Sequence, residues 1–215
     1  MGDAAGTTNG TPPGRTEGPS PALSQALAGT ALSKTVPTPA AAFARARQLF
    51  QTGDRLDMGR LADELGVART TLYRWTGDRD QLLADVLWAE TKWVLDGLAA
   101  AARDRPYPHT ETIAVGFIDV LCSAEPVRSF LRTEGQRALL TLTVPSSSYR
   151  TRLLEAVIAI IENDVAQGYK PPETPRLLAD TVISMTERFL HNGGEPDANP
   201  SPEMAKRAIA LLLRE

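Results

Sequence analysis

The sequence predicts an all-α protein in two parts: a small three-helix head over residues 39–85 and a larger helical body over residues 86–215. Three observations carry this prediction. Apolar residues recur at three- and four-residue spacing in one segment after another, and no run alternates with period two. Pro, Gly and Ser punctuate those segments at helix-length intervals. Finally, DMGRLADELGVARTTLYRWTGDRDQLL, residues 57–83, sets two short amphipathic segments around a Gly-Val corner, the pattern of a helix-turn-helix.

The elements follow in order. Residues 1–38 are rich in Ala, Gly, Pro, Ser and Thr, and Pro12, Pro13, Pro19 and Pro21 break any helix there, so a disordered arm is expected. Arg15 and Lys34 are its only cations, too few to favour contact with DNA. A first helix over residues 39–51 would bury Phe43, Ala46 and Phe50. Asp57 precedes Met58, Leu61, Ala62 and Leu65, which share one face, and its carboxylate can cap the second helix. Gly66 supplies the left-handed residue that ends it, and Val67 the apolar plug at the corner. The third helix, Arg69–Thr76, has Leu72 as its one aliphatic anchor. After Asp80 a long helix carries Leu82, Leu83, Val86, Leu87, Val94, Leu95 and Leu98 to about Arg103, where Pro106 and Pro108 end it.

Helices over residues 110–122, 126–141 and 147–167 follow. The last has Leu154, Val157, Ile158, Ile161 and Val165 on one stripe, widened by Leu153 and Ile160. Two more, over residues 174–191 and 201–214, carry apolar seams: Leu178, Thr181, Val182, Met185 and Phe189 on one, and Met204, Ala208, Leu211 and Leu212 on the other. Such seams can pair with their copies across a two-fold axis, or pack within one chain.

The charge pattern restricts what the head can do. The net charge is −3, and residues 40–85 hold seven arginines against seven acids, so the chain is not a generally basic nucleic-acid binder. Within the head, however, residues 40–50 carry Arg45 and Arg47 and residues 66–76 carry Arg69 and Arg74, with no acid in either stretch. One basic face with few cations gives modest non-specific affinity, so specific binding would need two heads on a palindrome. Arg69 can offer its donor fork to guanine in a major groove, and Thr70 and Thr71 can offer hydroxyls to phosphate or methyls to thymine. Tyr73 can bond a phosphate, Arg74 a base or a phosphate, and Trp75 a phosphate through its indole N–H, or else pack against the first helix. Arg79, at the start of the long helix, joins a cation to free backbone N–H groups. For each of these, a solvated or packing side chain is the competing reading.

LADELGV, TLYRW and GDRDQLL together resemble the N-terminal DNA-binding domain of TetR-family transcription regulators over residues 41–85. Ala68 stands where that family usually has a capping Ser, Thr76 where it has Phe, Arg79 where it has Lys, and Asp57 where a Thr often touches phosphate. The resemblance implies a phosphate role for Tyr73 and dimerisation through the last two helices. Interface residues would then be Leu178, Val182, Met185, Phe189, Ala208, Leu211 and Leu212. It further implies a small apolar effector held in the body, with Phe117, Leu121, Phe130, Ile158, Met185 and Phe189 as lining, each of which would serve equally as ordinary core. A narrower similarity to a QsdR-like subgroup points to an acyl-lactone or related lactone as an effector to test.

The sequence therefore reads as a homodimeric, ligand-responsive, DNA-binding transcriptional regulator that acts as a repressor. The alternative is a helical small-molecule binding or adaptor protein whose head no longer reads DNA. No Gly-rich phosphate loop, G-x-S-x-G, H-E-x-x-H or paired-Cys motif occurs, so no enzyme, metal or cofactor is expected. His109 and His191 stand apart from any ligand-spaced cluster, and Cys122 reads as structural. A single Cys, and no apolar run long enough for a leader or a membrane span, point to a soluble cytoplasmic protein.

Overall fold

The computed structural model describes residues 37–105, 107–145, 147–191 and 201–214; the expected N-terminal arm lies almost wholly outside them. Among the described residues there are ten α-helices and no strand. They are α1 (Pro39–Thr52), α2 (Met58–Leu65), α3 (Arg69–Thr76), α4 (Arg79–Ala102), α5 (His109–Ser123), α6 (Glu125–Glu134), α7 (Gln136–Thr143), α8 (Ser148–Ala166), α9 (Pro175–His191) and α10 (Pro202–Leu212). No described helix is long and apolar enough to cross a membrane.

Local chemistry sets the N-terminal elements. Thr38 caps α1 by accepting from the Ala41 amide at 3.1 Å, and Pro39 opens the helix where no N–H is needed. Asp57 caps α2 by accepting from the Arg60 amide at 2.8 Å, and Gly66, at φ 67°, closes it while Val67 N–H donates to the Ala62 carbonyl. α3 has no side-chain cap at Ala68 and is held chiefly by Leu72, which is wholly buried. Burying that one side chain contributes about 2 kcal/mol. Within α1, Ala42, Ala46, Leu49 and Phe50 are the buried residues, whereas Phe43 is only half-buried. The helix is therefore turned by about one residue from the expected face, because Leu49 and Phe50 together close onto α4 and α6.

α4 is 24 residues long, about 36 Å at the helical rise, and runs from the N-terminal helices into the body. It packs on α1 and α3 at one end and on α5 and α8 further along. α8 lies against α4, α5 and α9, and α10 against α5 and α9. The buried line of α8 is Leu153, Val157, Ile161 and Asp164; Leu154 and Ile158 are half-buried, and Val165 is exposed. The expected stripe was thus displaced by one position, since α8 is covered from the α5 and α9 sides together.

Two further expectations are corrected. The helix expected over residues 126–141 is two, α6 and α7, broken at Gly135, whose φ of 53° and ψ of −127° suit no residue with a Cβ. Gly135→Ala should destabilise the protein by about 1–3 kcal/mol, seen as a lower urea midpoint, even though open space surrounds the added methyl. The seam on α9 also differs. Leu178 and Val182 are 1% and 4% exposed within one chain, so they build the protomer's own core and cannot meet a partner. Among the described residues, Leu177, 50% exposed, is the large apolar residue α9 presents outward, together with Met204 and Leu211 of α10 at 57% and 59%. Met185, Ala208 and Leu212 are half-buried, and the side chain of Phe189 lies outside the described residues, as does that of His191.

Asp164 was not foreseen. It is wholly buried, and its Oδ2 accepts from the backbone N–H and the hydroxyl of Thr110, each at 2.7 Å. Pro108 offers α5 no side-chain cap, so a carboxylate 54 residues away in sequence caps its first turn instead. His109 is likewise not isolated: its Nδ1 lies 3.8 Å from Asp164 Oδ1.

Candidate nucleic-acid interface and ligand cavity

α3 presents its polar residues as a short ridge. Arg69, Thr70, Tyr73 and Arg74 are exposed, Tyr73 at 47%, while Thr71 and Trp75 are half-buried. Trp75 packs against the hydrophobic core, the packing alternative for that residue. Arg69 folds back over the start of α2: a Cβ built on Gly59 would lie 2.6 Å from its Nη2 and 3.1 Å from Asp57 Oδ1. Gly59 thereby leaves room for a guanidinium beside the capping carboxylate. Arg74 has no ion-pair partner among the described residues, and neither has Arg55 in the turn before α2. Arg55 is an exposed cation that the sequence reading counted only in the total.

The basic face inferred from α1 is largely neutralised. Arg45 pairs with Glu64 at 2.7 Å, Glu64 also takes Arg60 at 2.9 Å, and Arg47 pairs with Glu90 of α4. The Arg45 hydrogen bond, more than any other influence, holds the Glu64 carboxyl below its ordinary range. Arg79 departs furthest from expectation. Its Nε donates to the Leu56 carbonyl at 2.7 Å, and its Nη2 pairs with Glu134 at the end of α6. Asp78 meanwhile caps α4 by accepting from the Gln81 amide at 2.8 Å. A guanidinium turned inward beside a capped helix start is not presented as a phosphate anchor.

Asp57 places a negative charge where phosphate would approach α2. The Arg60 amide chiefly, with the Gly59 amide, Arg69 and Arg55, holds its carboxyl below the usual range, so it is ionised at neutral pH. Asp57→Thr keeps a capping oxygen and removes the charge. DNA affinity should rise about fivefold at low salt, the equivalent of roughly 1 kcal/mol for one close like-charge contact in water. The cap's contribution to stability is present above the ordinary carboxylate pKa and is lost as pH falls through the depressed folded value, so the Thr variant should lose that part of the acid sensitivity. Titration by fluorescence anisotropy and acid unfolding check the two halves.

The body contains a cavity of about 200 Å³ enclosed by α1, α4, α5, α6, α7, α8 and α9. Phe117, Leu121 and Phe130, named above as lining for an effector, border it. Ile158 and Met185 do not; they are half-buried against the core elsewhere. Sequence reading missed Phe50 and Gln51 of α1, and Glu90, Thr91, Trp93 and Tyr149. Phe50 meets Phe130 edge-on, with ring centroids 5.8 Å apart, so α1 itself closes the cavity towards the N-terminal helices. At the rim, Glu90 Oε1 accepts from Arg47 Nε and from Gln51 Nε2, the latter at 2.9 Å. Trp93 is 71% exposed beside it. Deeper, the hydroxyls of Thr91 and Tyr149 are 3.0 Å apart and buried, and burial pushes the Tyr149 phenol up to about 12, so it stays protonated.

Among the described residues no three His, Cys, Asp or Glu gather as a metal site. Burial raises the half-buried Cys122 thiol, which opposes a reactive thiolate.

A helix-turn-helix set on a helical body with an internal apolar cavity defines the class: a two-part helical protein with a candidate DNA-reading element and a candidate ligand chamber. Residues 110–214 match the family described as the tetracyclin repressor-like C-terminal domain. The match takes in just under half of the chain, the greater part of its helical body. Among solved structures the chain is similar to the transcriptional repressor QsdR of R. erythropolis, at 24% identity and a TM-score of 0.71, over 81% of this chain and 93% of that one. It is also similar to a TetR-family transcriptional regulator of Pectobacterium atrosepticum, at 20% identity and a TM-score of 0.59, over 82% and 94% of the respective chains. No curated protein sequence matches it.

Proposed function

We propose that this chain is a homodimeric transcriptional repressor, released from a palindromic operator by a small apolar effector. Residues 39–85 act as the DNA-reading head and residues 86–215 as the effector-binding and dimerising body, in the cytoplasm. The observation that carries this is the shared wall: Phe50 and Gln51, which close the cavity, belong to the helix that braces α3, and Glu90 at the rim ties that helix to α4. An occupant that moves this wall changes how α1 sits on α4. Release then follows only if the effector prefers the head arrangement that fits the operator poorly. The R. erythropolis protein of like fold is itself described as a repressor, which favours that sign of control.

In this reading Arg69 and Arg74 contact bases, Thr70 and Tyr73 contact phosphate, and Thr71 and Trp75 support them from a half-buried position. Arg79 is assigned to holding the head on α6. The dimer surface is the outward apolar face, Leu177, Met204 and Leu211 with Ala208 and Leu212 at its edge, and it puts two heads on one duplex.

The second reading, a binding or adaptor protein with a degenerate head, is favoured by the pairing of Arg45, Arg47 and Arg79 with acids and by Asp57. Selection of bound fragments from the source genome, followed by gel shift across a salt series, separates the two. A sequence-specific, salt-sensitive complex lost on adding a small apolar ligand supports the repressor; no such complex in any ligand condition leaves the adaptor.

A further inference from the structure

The cavity wall contains one hydroxyl hydrogen more than it has acceptors for. Thr91 Oγ1 on α4 and Tyr149 Oη on α8 lie 3.0 Å apart, and each carries one O–H. Their mutual bond uses one of the two hydrogens. Neither oxygen has another hydrogen-bond partner among the described residues, and the residues are 8% and 6% exposed. The remaining O–H therefore has no acceptor among the described residues, at the wall of a mainly apolar chamber, a costly state for a buried donor.

Charge narrows the complement. Glu90 and Glu187 are the ionisable carboxylates of the lining, each engaged by an arginine, Arg47 and Arg150 respectively. Neither of those arginines lines the chamber, and no Lys, Arg or His does among the described residues. An anionic ligand would meet carboxylates and no free cation there. Size narrows it further: an apolar cavity of about 150 Å³ holds a benzene-sized molecule, and this one is about 200 Å³.

We infer that the effector is an uncharged, mainly apolar molecule bearing a carbonyl-type acceptor oxygen, and that the Thr91–Tyr149 hydroxyl pair receives that oxygen. This rests on the reading of the chamber as the effector site. The pair spans α4 and α8, so an oxygen held there ties the ligand directly to the helix that enters the head.

The test uses four matched probes in isothermal titration calorimetry on the full chain: butyrophenone, butylbenzene, 4-phenylbutanoate and 4-phenylbutylamine. Butyrophenone is expected to bind about tenfold more tightly than butylbenzene, and both more tightly than the anion or the amine. In Tyr149→Phe and in Thr91→Val/Tyr149→Phe, with folding verified by circular dichroism, butylbenzene affinity should persist. The ketone preference should persist in the single variant, whose Thr91 hydroxyl still lacks an acceptor, and fall below about twofold in the double one, which removes both donors. Equal binding of ketone and hydrocarbon by the natural chain, a preference that survives the double variant, or tighter binding of the acid or amine than of the ketone overturns the assignment while leaving the chamber as a ligand site. No binding by any of the four overturns the chamber reading itself. If the double variant does not fold, Thr91→Ala/Tyr149→Phe takes its place under the same criterion, since it too removes both donors.

Discussion

Arg69→Ala and Tyr73→Ala, made separately, should each lower specific operator affinity by about 30-fold or more, with different signatures. A bidentate arginine contact contributes about 1–3 kcal/mol of discrimination, and on the proposed two-fold dimer each substitution removes its contact twice. The Arg69 variant should relax the base preference at one position of each half-site. Tyr73→Ala should weaken all sequences alike, because a phosphate contact carries no base identity. Neither change touches Leu72, the wholly buried anchor of α3, so the fold should stand. In the unbound chain Arg69 lies over Gly59 beside Asp57, and its flexible stem must swing about the first turn of α3 to reach a groove. Anisotropy titrations against the selected operator and single-base variants of it read both effects. Unchanged affinity and base preference in both variants would mean that α3 is not the reading element.

Glu134→Ala should cost about 2–3 kcal/mol of folding stability. Glu134 and Arg79 have side chains only 7% and 17% exposed, and the substitution strands a guanidinium whose Nη1 already lacks a hydrogen-bond partner. Breaking a buried pair from one side typically costs about 3–5 kcal/mol; the retained bond from Arg79 Nε to the Leu56 carbonyl and the residual exposure reduce that here. The double variant Arg79→Met/Glu134→Leu should recover most of the loss, since it leaves no orphaned charge. Urea unfolding of the three variants against the natural chain tests this. If Glu134→Ala is as stable as the natural chain, the pair contributes nothing to holding α6 against the start of α4.

The same pair shows how far the sequence could be read. Arg79 opens a helix and follows a capping Asp, so every local signal marks it as a phosphate anchor. Besides the adjacent Asp80, 3.7 Å from its Nη1, its partners are Leu56 and Glu134, the latter 55 residues away, and nothing local announces those two. Arg45 and Glu64, 19 apart, and Arg47 and Glu90, 43 apart, repeat the lesson. Block counts of charge placed a basic face on α1 that folding neutralises. The break at Gly135 escaped for a different reason: a glycine inside a helical pattern is tolerated often enough that periodicity alone does not distinguish an interruption from an expensive helical residue.

What the sequence determined by itself was everything governed by near neighbours. The bounds of α3 at Arg69–Thr76, the Asp57 cap, the left-handed Gly66 and the all-helical class follow from spacing and capping over a few residues. A small part of the chamber was legible too, since Phe117, Leu121 and Phe130 are large apolar residues that had to face something. Only the tertiary structure decided which face of α9 is core, that Leu177 rather than Leu178 points outward, and that Asp164 caps a helix 54 residues earlier. It alone brought Thr91 and Tyr149, 58 apart, into one wall. The physical reason is common to all of these: helix formation is decided by bonds within a turn, whereas burial, charge pairing and the shape of a cavity depend on which helices pack together, and that is a property of the whole chain.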